Sequence, residues 1–302
     1  MKIAYFGLPL GALSLAHDGH ELGLVVLSPV AAPGRRRLRR LLPARTLVDC
    51  TSGVPEARID ERLSELAPDC LLSWFWTRQL PARWLDPPRL GAFGVHPSLL
   101  PRHRGPNPYF AAIDAGDSVS GATLHCLGRD YDDGAVVWRE AIAVGDLNAW
   151  QLARAIDRPS LGLLRRAARS LRAGRMPAGS AQDAAAVTWA GEPEGEQLRV
   201  RWEWPTARIL RRVRALAPVP GLALNIRGVD FSLLRASATE RELLALKPGE
   251  AAIVDGRVTI CTGDGAIVLE AAELSLGGRT VGQRELARLL EERRLAAKEP
   301  RP

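Results

Sequence analysis

Residues 94–108 read G-V-H-P-S-L-L-P-R-H-R-G-P-N-P, and residues 121–134 read G-A-T-L-H-C-L-G-R-D-Y-D-D-G. Side chains of a strand alternate between its faces, so a strand over residues 91–96 puts Ala92, Gly94 and His96 on one face and releases His96 at the strand end. Pro97 and Pro101 fix φ and donate no backbone hydrogen bond, which leaves the Ser98-Leu99-Leu100 loop few conformations. Such a stiff loop beside a histidine pre-organises a site. A second alternating strand over 121–127 then leads into Asp130, Asp132 and Asp133 in a loop ending at Gly134. One of these carboxylates can pair with His96, fixing the imidazole's tautomer and raising its basicity. His125, on the strand before Asp132, faces either this site or the core.

The combination resembles the folate-dependent formyltransferase family, and within it the tRNA-formylating members. The family pattern is Asn-x-His, an S-L-L-P turn, Arg-Gly, G-x-T and an Asp-x-Gly loop. This chain matches at His96, Ser98-Leu99-Leu100-Pro101, Arg104-Gly105, Gly121 with Thr123, and Asp132 with Gly134. It departs at Gly94, which stands where the family has its catalytic Asn. The resemblance implies His96, Asp132 and position Gly94 as the catalytic set, and Ser98, Leu99, Leu100 and Pro101 as the folate-contacting turn. Residues 67–73 leading to Leu80-Pro81 resemble the family's folate-pocket strand and loop, which adds Leu80. Trp202–Gly221 resembles the entry to the family's C-terminal module.

By the same resemblance, 10-formyltetrahydrofolate gives its formyl group to a primary amine, expected to be that of methionyl-initiator tRNA, and no metal takes part. The family's Asn donates to the oxyanion formed on attack, and losing such a donor costs about 10²–10³ in rate. A water, the Gly94 backbone N–H, the Asn107 side chain or protonated His96 are the substitutes on offer. The expectation is a weakly active enzyme that Gly94→Asn improves. Two other readings stay open: a transferase for a small amine such as an amino sugar or amino acid, and a folate- or RNA-binding protein without transferase activity.

Apolar periodicity places strands near 2–7, 22–28, 69–74, 91–96, 121–127 and 135–144, with helices near 9–17, 59–67, 108–115 and 148–173. Strands alternating with helices imply an α/β, Rossmann-like domain with a mostly parallel sheet covered on both faces. Ligands of such sheets bind at the carboxyl ends of the strands, where His96 falls. A stretch rich in Ala, Gly, Gln and acid then reads as a linker. The expected division is a catalytic domain over 1–178, a linker over 179–196 and a C-terminal domain over 197–302. In the last, a helix over 205–216 has Ile209, Leu210, Val213 and Leu216 on one face and Arg208, Arg211, Arg212 and Arg214 largely on the other. Gly228, Asp255-Gly256 and Gly263-Asp264-Gly265 are hairpin turns between short strands, and a helix over about 282–297 closes the chain. A small open β-barrel of the oligonucleotide-binding type suits this pattern.

The formal charge is +7 and the isoelectric point about 9.8. Arg35, Arg36, Arg37, Arg39 and Arg40 crowd one segment between Pro33 and Pro43. A solvated loop and a phosphate-binding surface both fit, and the family resemblance, whose tRNA-formylating members carry a basic insertion near here, favours tRNA. Arg165, Arg166, Arg169 and Arg172 form a second stripe, read as an exposed helix face. Neither cluster is interleaved with aromatics as a single-strand stacking platform would be. Cys50, Cys70, Cys126 and Cys261 are scattered without ligand spacing and read as reduced, buried thiols. Neither G-x-G-x-x-G nor a P-loop occurs. With no visible leader or apolar span, a cytoplasmic monomer is expected, engaging folate and tRNA and not a membrane.

Overall fold

The computed structural model describes residues 1–239 and 246–296, so the expected last helix residue, Ala297, lies outside the described residues. Two compact units emerge. The first comprises residues 1–108, 119–143 and 153–191, and the second 109–118, 144–152 and 192 onward.

Along the chain come β1 (Ile3–Gly7), α1 (Pro9–His17), β2 (Leu22–Leu27), α2 (Arg35–Leu41), β3 (Leu47–Asp49), α3 (Glu56–Leu66), β4 (Cys70–Trp74), α4 (Ala82–Leu85), β5 (Ala92–His96), α5 (Pro108–Ala115), β6 (Val119–Cys126), β7 (Val136–Ala143) and α6 (Ala149–Arg172). The seven strands form one sheet in the order β3-β2-β1-β4-β5-β6-β7. Strands β1 to β5 pair in parallel, and β6 and β7 add antiparallel at the edge. Every residue of β1, β4 and β5 is buried, as central parallel strands require, whereas the edge strand β7 is half-buried or exposed after Val136. The sheet is thus mostly parallel, as the alternating pattern implied.

One face of this sheet packs Ala4, Phe6, Leu24, Val26, Val48 and Leu71 against Ile59 of α3 and Trp84 of α4. Pro9 opens α1 at a position where its missing N–H costs nothing. In α6, Ser160 accepts a hydrogen bond from the buried Trp74 indole at 2.9 Å. The arginine stripe on α6 is not merely solvated: Arg165 and Arg169 reach Asp18 at 2.6 and 3.6 Å, and Arg166 stacks 4.0 Å over the Trp138 ring. Residues 180–190 run as a strap, broken by a 3-10 turn at Ala184–Ala186, bridging Val136 at Ser180 and Arg104 at Trp189.

In the second unit, α7 (Thr206–Leu216) packs on a six-stranded antiparallel sheet of β8 (Leu222–Ile226), β9 (Val229–Thr239), β10 (Ala251–Val254), β11 (Arg257–Cys261), β12 (Ala266–Leu274) and β13 (Thr280–Gly282). Irregular register between β12 and β9 near Ala271 helps the sheet curl. The turns Arg227-Gly228 and Asp255-Gly256 hold positive φ at both residues, the conformation of tight hairpins. α8 (Gln283–Ala296) follows. Arg212 departs from the expected polar face of α7. It is buried, with Nε and Nη2 on the two Asp114 carboxylate oxygens at 2.6 and 2.9 Å and Nη1 donating to the carbonyls of Glu196, Gln197 and Arg199. A guanidinium with five donors can be buried when every face meets an acceptor, and here they do.

Candidate active site

His96 ends β5 and is buried. Its Nε2 donates to the carbonyl of His103 at 2.8 Å, and its Nδ1 lies 3.3 Å from Asp132 Oδ2. That same Oδ2 accepts the Gly105 backbone N–H at 2.9 Å. The structure therefore brings together the His, the Arg-Gly turn and the Asp that the sequence pattern joins across thirty-odd residues. Each ring nitrogen of His96 faces an acceptor, and both are satisfied at once only when both carry hydrogen.

The loop after His96 is fixed from two sides. Thr123, opposite His96 in the β5–β6 register, donates its hydroxyl to Ser98 O at 2.7 Å and accepts Leu100 N–H at 3.1 Å. Ser98 Oγ donates to Arg102 O at 2.7 Å. Gly121 lies under this loop: an added Cβ would stand 2.1 Å from Glu140 O and 2.9 Å from Leu99 Cδ2, so the G-x-T spacing is set by close approach. Ser98 and Leu100 are buried, and Leu99 and Pro101 are partly exposed. Leu80 packs in the core cluster with Phe6 and Trp84.

Sequence reasoning missed Gln182. Its Nε2 donates to the carbonyls of Asp132 and Gly134 at 2.6 and 2.8 Å, while its Oε1 accepts from Arg104 Nη2 at 2.9 Å. One amide thus ties the Arg-Gly turn to the Asp loop, where Asp132 itself holds φ +55°. Thr188 on the same strap accepts His103 N–H at 2.8 Å, and its own N–H and carbonyl bond to Pro101 O and Arg104 N. A segment of Ala, Gln and Asp has no periodicity to mark it. Its role lies in backbone and amide groups that become meaningful only when the loops they bind are in place.

His103 enters the site through its carbonyl rather than its ring. Gly94 faces His125 across the strand pair, and a Cβ there would stand 2.7 Å from Leu127 Cδ2 and 3.3 Å from His125 Nε2. An Asn side chain on this face therefore meets the Leu127 methyl, the end of a flexible side chain, and the His125 ring, and Gly94→Asn requires both to shift. His125 Nε2 also lies 3.6 Å from Asp132 Oδ1. Burial presses the His125 ring below the ordinary histidine value, opposed by the negative charge of Asp132.

The basic run is a helix, α2, and not a loop. Leu38 is buried and anchors it. Arg35 turns inward, donating to Asp49 and Ser28 O and to Val30 O at 2.8 Å, while Arg39 reaches Asp49 Oδ2 at 3.0 Å. Arg36, Arg37 and Arg40 line an open concavity with Pro33 and Gly34, their side chains reaching toward solvent. Among the described residues no group of three or more His, Cys, Asp or Glu is placed to hold a metal, and no helix is long and apolar enough to cross a membrane. All four cysteines are free.

The formyl transferase family matches residues 22–153, and the formyl transferase C-terminal domain matches residues 194–288. Methionyl-tRNA formyltransferase of Anaeromyxobacter dehalogenans is 32% identical over 290 residues, 91% of this chain and 92% of its own length. That of Chelativorans sp. is 30% identical over 305 residues, 95% and 96% of the two chains. The chain belongs to the folate-dependent formyltransferase family. HypX from Aquifex aeolicus, solved with tetrahydrofolic acid, superposes with a TM-score of 0.67 at 22% identity over 97% of this chain, which spans only 47% of HypX. The N-formyltransferase from Helicobacter canadensis, solved with folinic acid and dTDP-3-aminofucose, also superposes at 0.67, at 12% identity over 89% of this chain and 98% of its own. At these identities the likeness is one of fold.

Proposed function

We propose that this protein transfers the formyl group of 10-formyltetrahydrofolate to the amino group of methionyl-initiator tRNA. What carries the reading is the match to methionyl-tRNA formyltransferases through both modules and over more than nine-tenths of each chain. In this reading Ser98, Leu99, Leu100, Pro101 and Leu80 hold the folate beside His96. The amine attacks the formyl carbon, the carbonyl pair moves to oxygen, and as the carbonyl re-forms the C–N10 pair goes to the folate N10, which takes up the proton shed by the attacking nitrogen. His96 stabilises the developing negative charge, and Asp132 holds its ring in place. Arg36, Arg37, Arg39 and Arg40 on α2 meet the phosphates of the acceptor stem, which suits a helix whose outer face carries cations.

The test is incubation with 10-formyltetrahydrofolate and, separately, methionyl-initiator tRNA, a nucleotide-linked amino sugar and free methionine, with the product read by mass. Formyl-methionyl-tRNA as the preferred product supports the reading. A formylated small amine in preference to tRNA, or folate binding with no formylated product, overturns it.

A further inference from the structure

In this family the catalytic step is assigned to an Asn, a His and an Asp, and this chain has Gly94 at the first of these. The antiparallel register of β5 and β6 sets Gly94 directly opposite His125. Both the imidazole Nε2 of His125 and the Cδ2 methyl of Leu127 lie within 3.3 Å of where a side chain at 94 would begin. His125 is 2% exposed, yet its Nε2 faces Asp132 Oδ1 at 3.6 Å, the second oxygen of the carboxylate whose Oδ2 lies 3.3 Å from His96 Nδ1. One carboxylate thus stands between two imidazoles.

The tautomer of His125 follows from its neighbour. Nδ1 lies 2.9 Å from the Cys126 carbonyl, which can only accept, so Nδ1 carries the hydrogen and the neutral ring presents its lone pair at Nε2. Burial keeps this ring on the neutral side and the positive character of His96 adds to that, while Asp132 and Asp133 act in the opposite sense. His96 and His125 are therefore complementary. One ring is placed to donate at both nitrogens, and the other offers a free base beside the same carboxylate.

We propose that His125 is a further catalytic residue of formyl transfer in this chain, its Nε2 taking over the face left empty at Gly94 and carrying the proton from the attacking amine to the folate nitrogen. The inference rests on the formyl-transfer reading above. As the amine nitrogen bonds to the formyl carbon, the C=O π pair moves to oxygen and the proton shed by the new ammonium passes to His125 Nε2. The imidazolium N–H is then a donor to the oxyanion, the service that the absent side chain does not supply. When the C=O re-forms and the C–N10 bond breaks, its electron pair goes to N10 and the same proton follows. Asp132 stabilises the transient imidazolium, and His125 ends neutral.

The experiment compares wild type, His125→Ala, His125→Gln, Gly94→Asn and the double variant Gly94→Asn/His125→Ala, each measured for kcat and for affinity toward 5-formyltetrahydrofolate. Loss of a general acid–base group predicts a fall in kcat of about 100-fold for His125→Ala, with folate affinity within about threefold of wild type. His125→Gln keeps a side chain of similar reach without a basic nitrogen, so it decides the matter should the alanine variant not fold, with a fall of about tenfold or more expected. Gly94→Asn alone lowers kcat because its space is taken. In the double variant the ring's space is vacated and the Leu127 methyl, the end of a flexible side chain, gives way to the amide, so kcat recovers about tenfold over His125→Ala. Activity of both His125 variants within about threefold of wild type overturns the inference while leaving the formyl-transfer reading intact. A double variant no faster than His125→Ala overturns the claim that the ring replaces the side chain at 94. Wild type that formylates none of the acceptors defeats the reading and this inference together.

Discussion

The Asp132 loop and helix α2 both concentrate charge, and they do so by opposite means. Around Asp132, three segments remote in sequence converge, namely residues 96–105, 123–134 and 180–190, and hydrogen bonds from Thr123, Gly105 and Gln182 and from His103 N–H to Thr188 hold them. In α2 one turn of helix sorts neighbours. Arg35 and Leu38, at helical spacing, face the body of the domain, Arg39 reaches Asp49 from an exposed position, and Arg36, Arg37 and Arg40 face solvent. In the first region a single substitution disturbs a network; in the second, adjacent arginines do different jobs.

The sharpest way to break the comparison is at its centre. His96→Ala and Asp132→Asn should each lower formyl transfer by about 10³-fold or more with the fold retained, as circular dichroism and folate titration would check. The double variant should lose little beyond either single one, because the pair acts as a unit. Additive losses would mean that the two side chains work separately.

Replacing Arg36, Arg37 and Arg40 together by Ala should weaken tRNA binding by roughly 10- to 100-fold at low salt and flatten the dependence of log K on log salt, since a helix that neutralises fewer phosphates releases fewer counterions. Folate affinity should not change. An unaltered salt slope would make α2 a solvated helix only.

Gln182→Ala should cost about tenfold in kcat with little change in folate affinity, because Asp132 loses one of its loop restraints and not its charge. Gln182→Glu, which cannot donate to the carbonyls of Asp132 and Gly134, should be no better than Ala. Equal activity of wild type and Gln182→Ala would show that the strap packs without positioning.

The smallest functional effect is expected at Arg35. Arg35→Ala should leave the salt slope of tRNA binding unchanged and instead lower stability by about 2 kcal/mol, seen as a drop of several degrees in Tm. Burial alone would raise the Asp49 carboxyl, but hydrogen bonds from Thr51 and the Arg35 guanidinium outweigh it and hold Asp49 below the ordinary range. A depressed carboxylate stabilises the fold at neutral pH and ceases to do so as pH falls through its folded value. The Tm gap between wild type and Arg35→Ala should therefore close in acid. A gap that is constant with pH would remove the ion pair as its cause.

The α/β alternation and the meeting of His96 with Asp132 were legible because each rests on local pattern or on a dense motif. Strand periodicity puts Gly94 and His96 on one face, proline stiffens the turn between them and Arg104, and hairpin glycines punctuate the second unit. The antiparallel direction of β6 and β7 was not legible, since an apolar pattern reports how a strand is buried and not which way it runs. Nor was the short helix α2, where a run of five arginines hides the single buried apolar residue, Leu38, that makes it amphipathic. Arg212 was misassigned to solvent because helical periodicity reports hydrophobicity, and a buried guanidinium is recognised only by its acceptors, Asp114 and three carbonyls supplied by other segments.

The sequence by itself determined the family, the order of elements and the residue types available for chemistry. Tertiary structure alone decided which of them meet. Gly94 is silent as a letter, and only the β5–β6 register shows that an imidazole and a leucine methyl stand beside it. Gln182 is one polar residue among many until the strap brings its amide to two carbonyls and a guanidinium. The physical reason is the same in both cases: chain propensities act over a few residues, whereas hydrogen bonding and close packing act over a few ångströms, and folding is what turns one neighbourhood into the other.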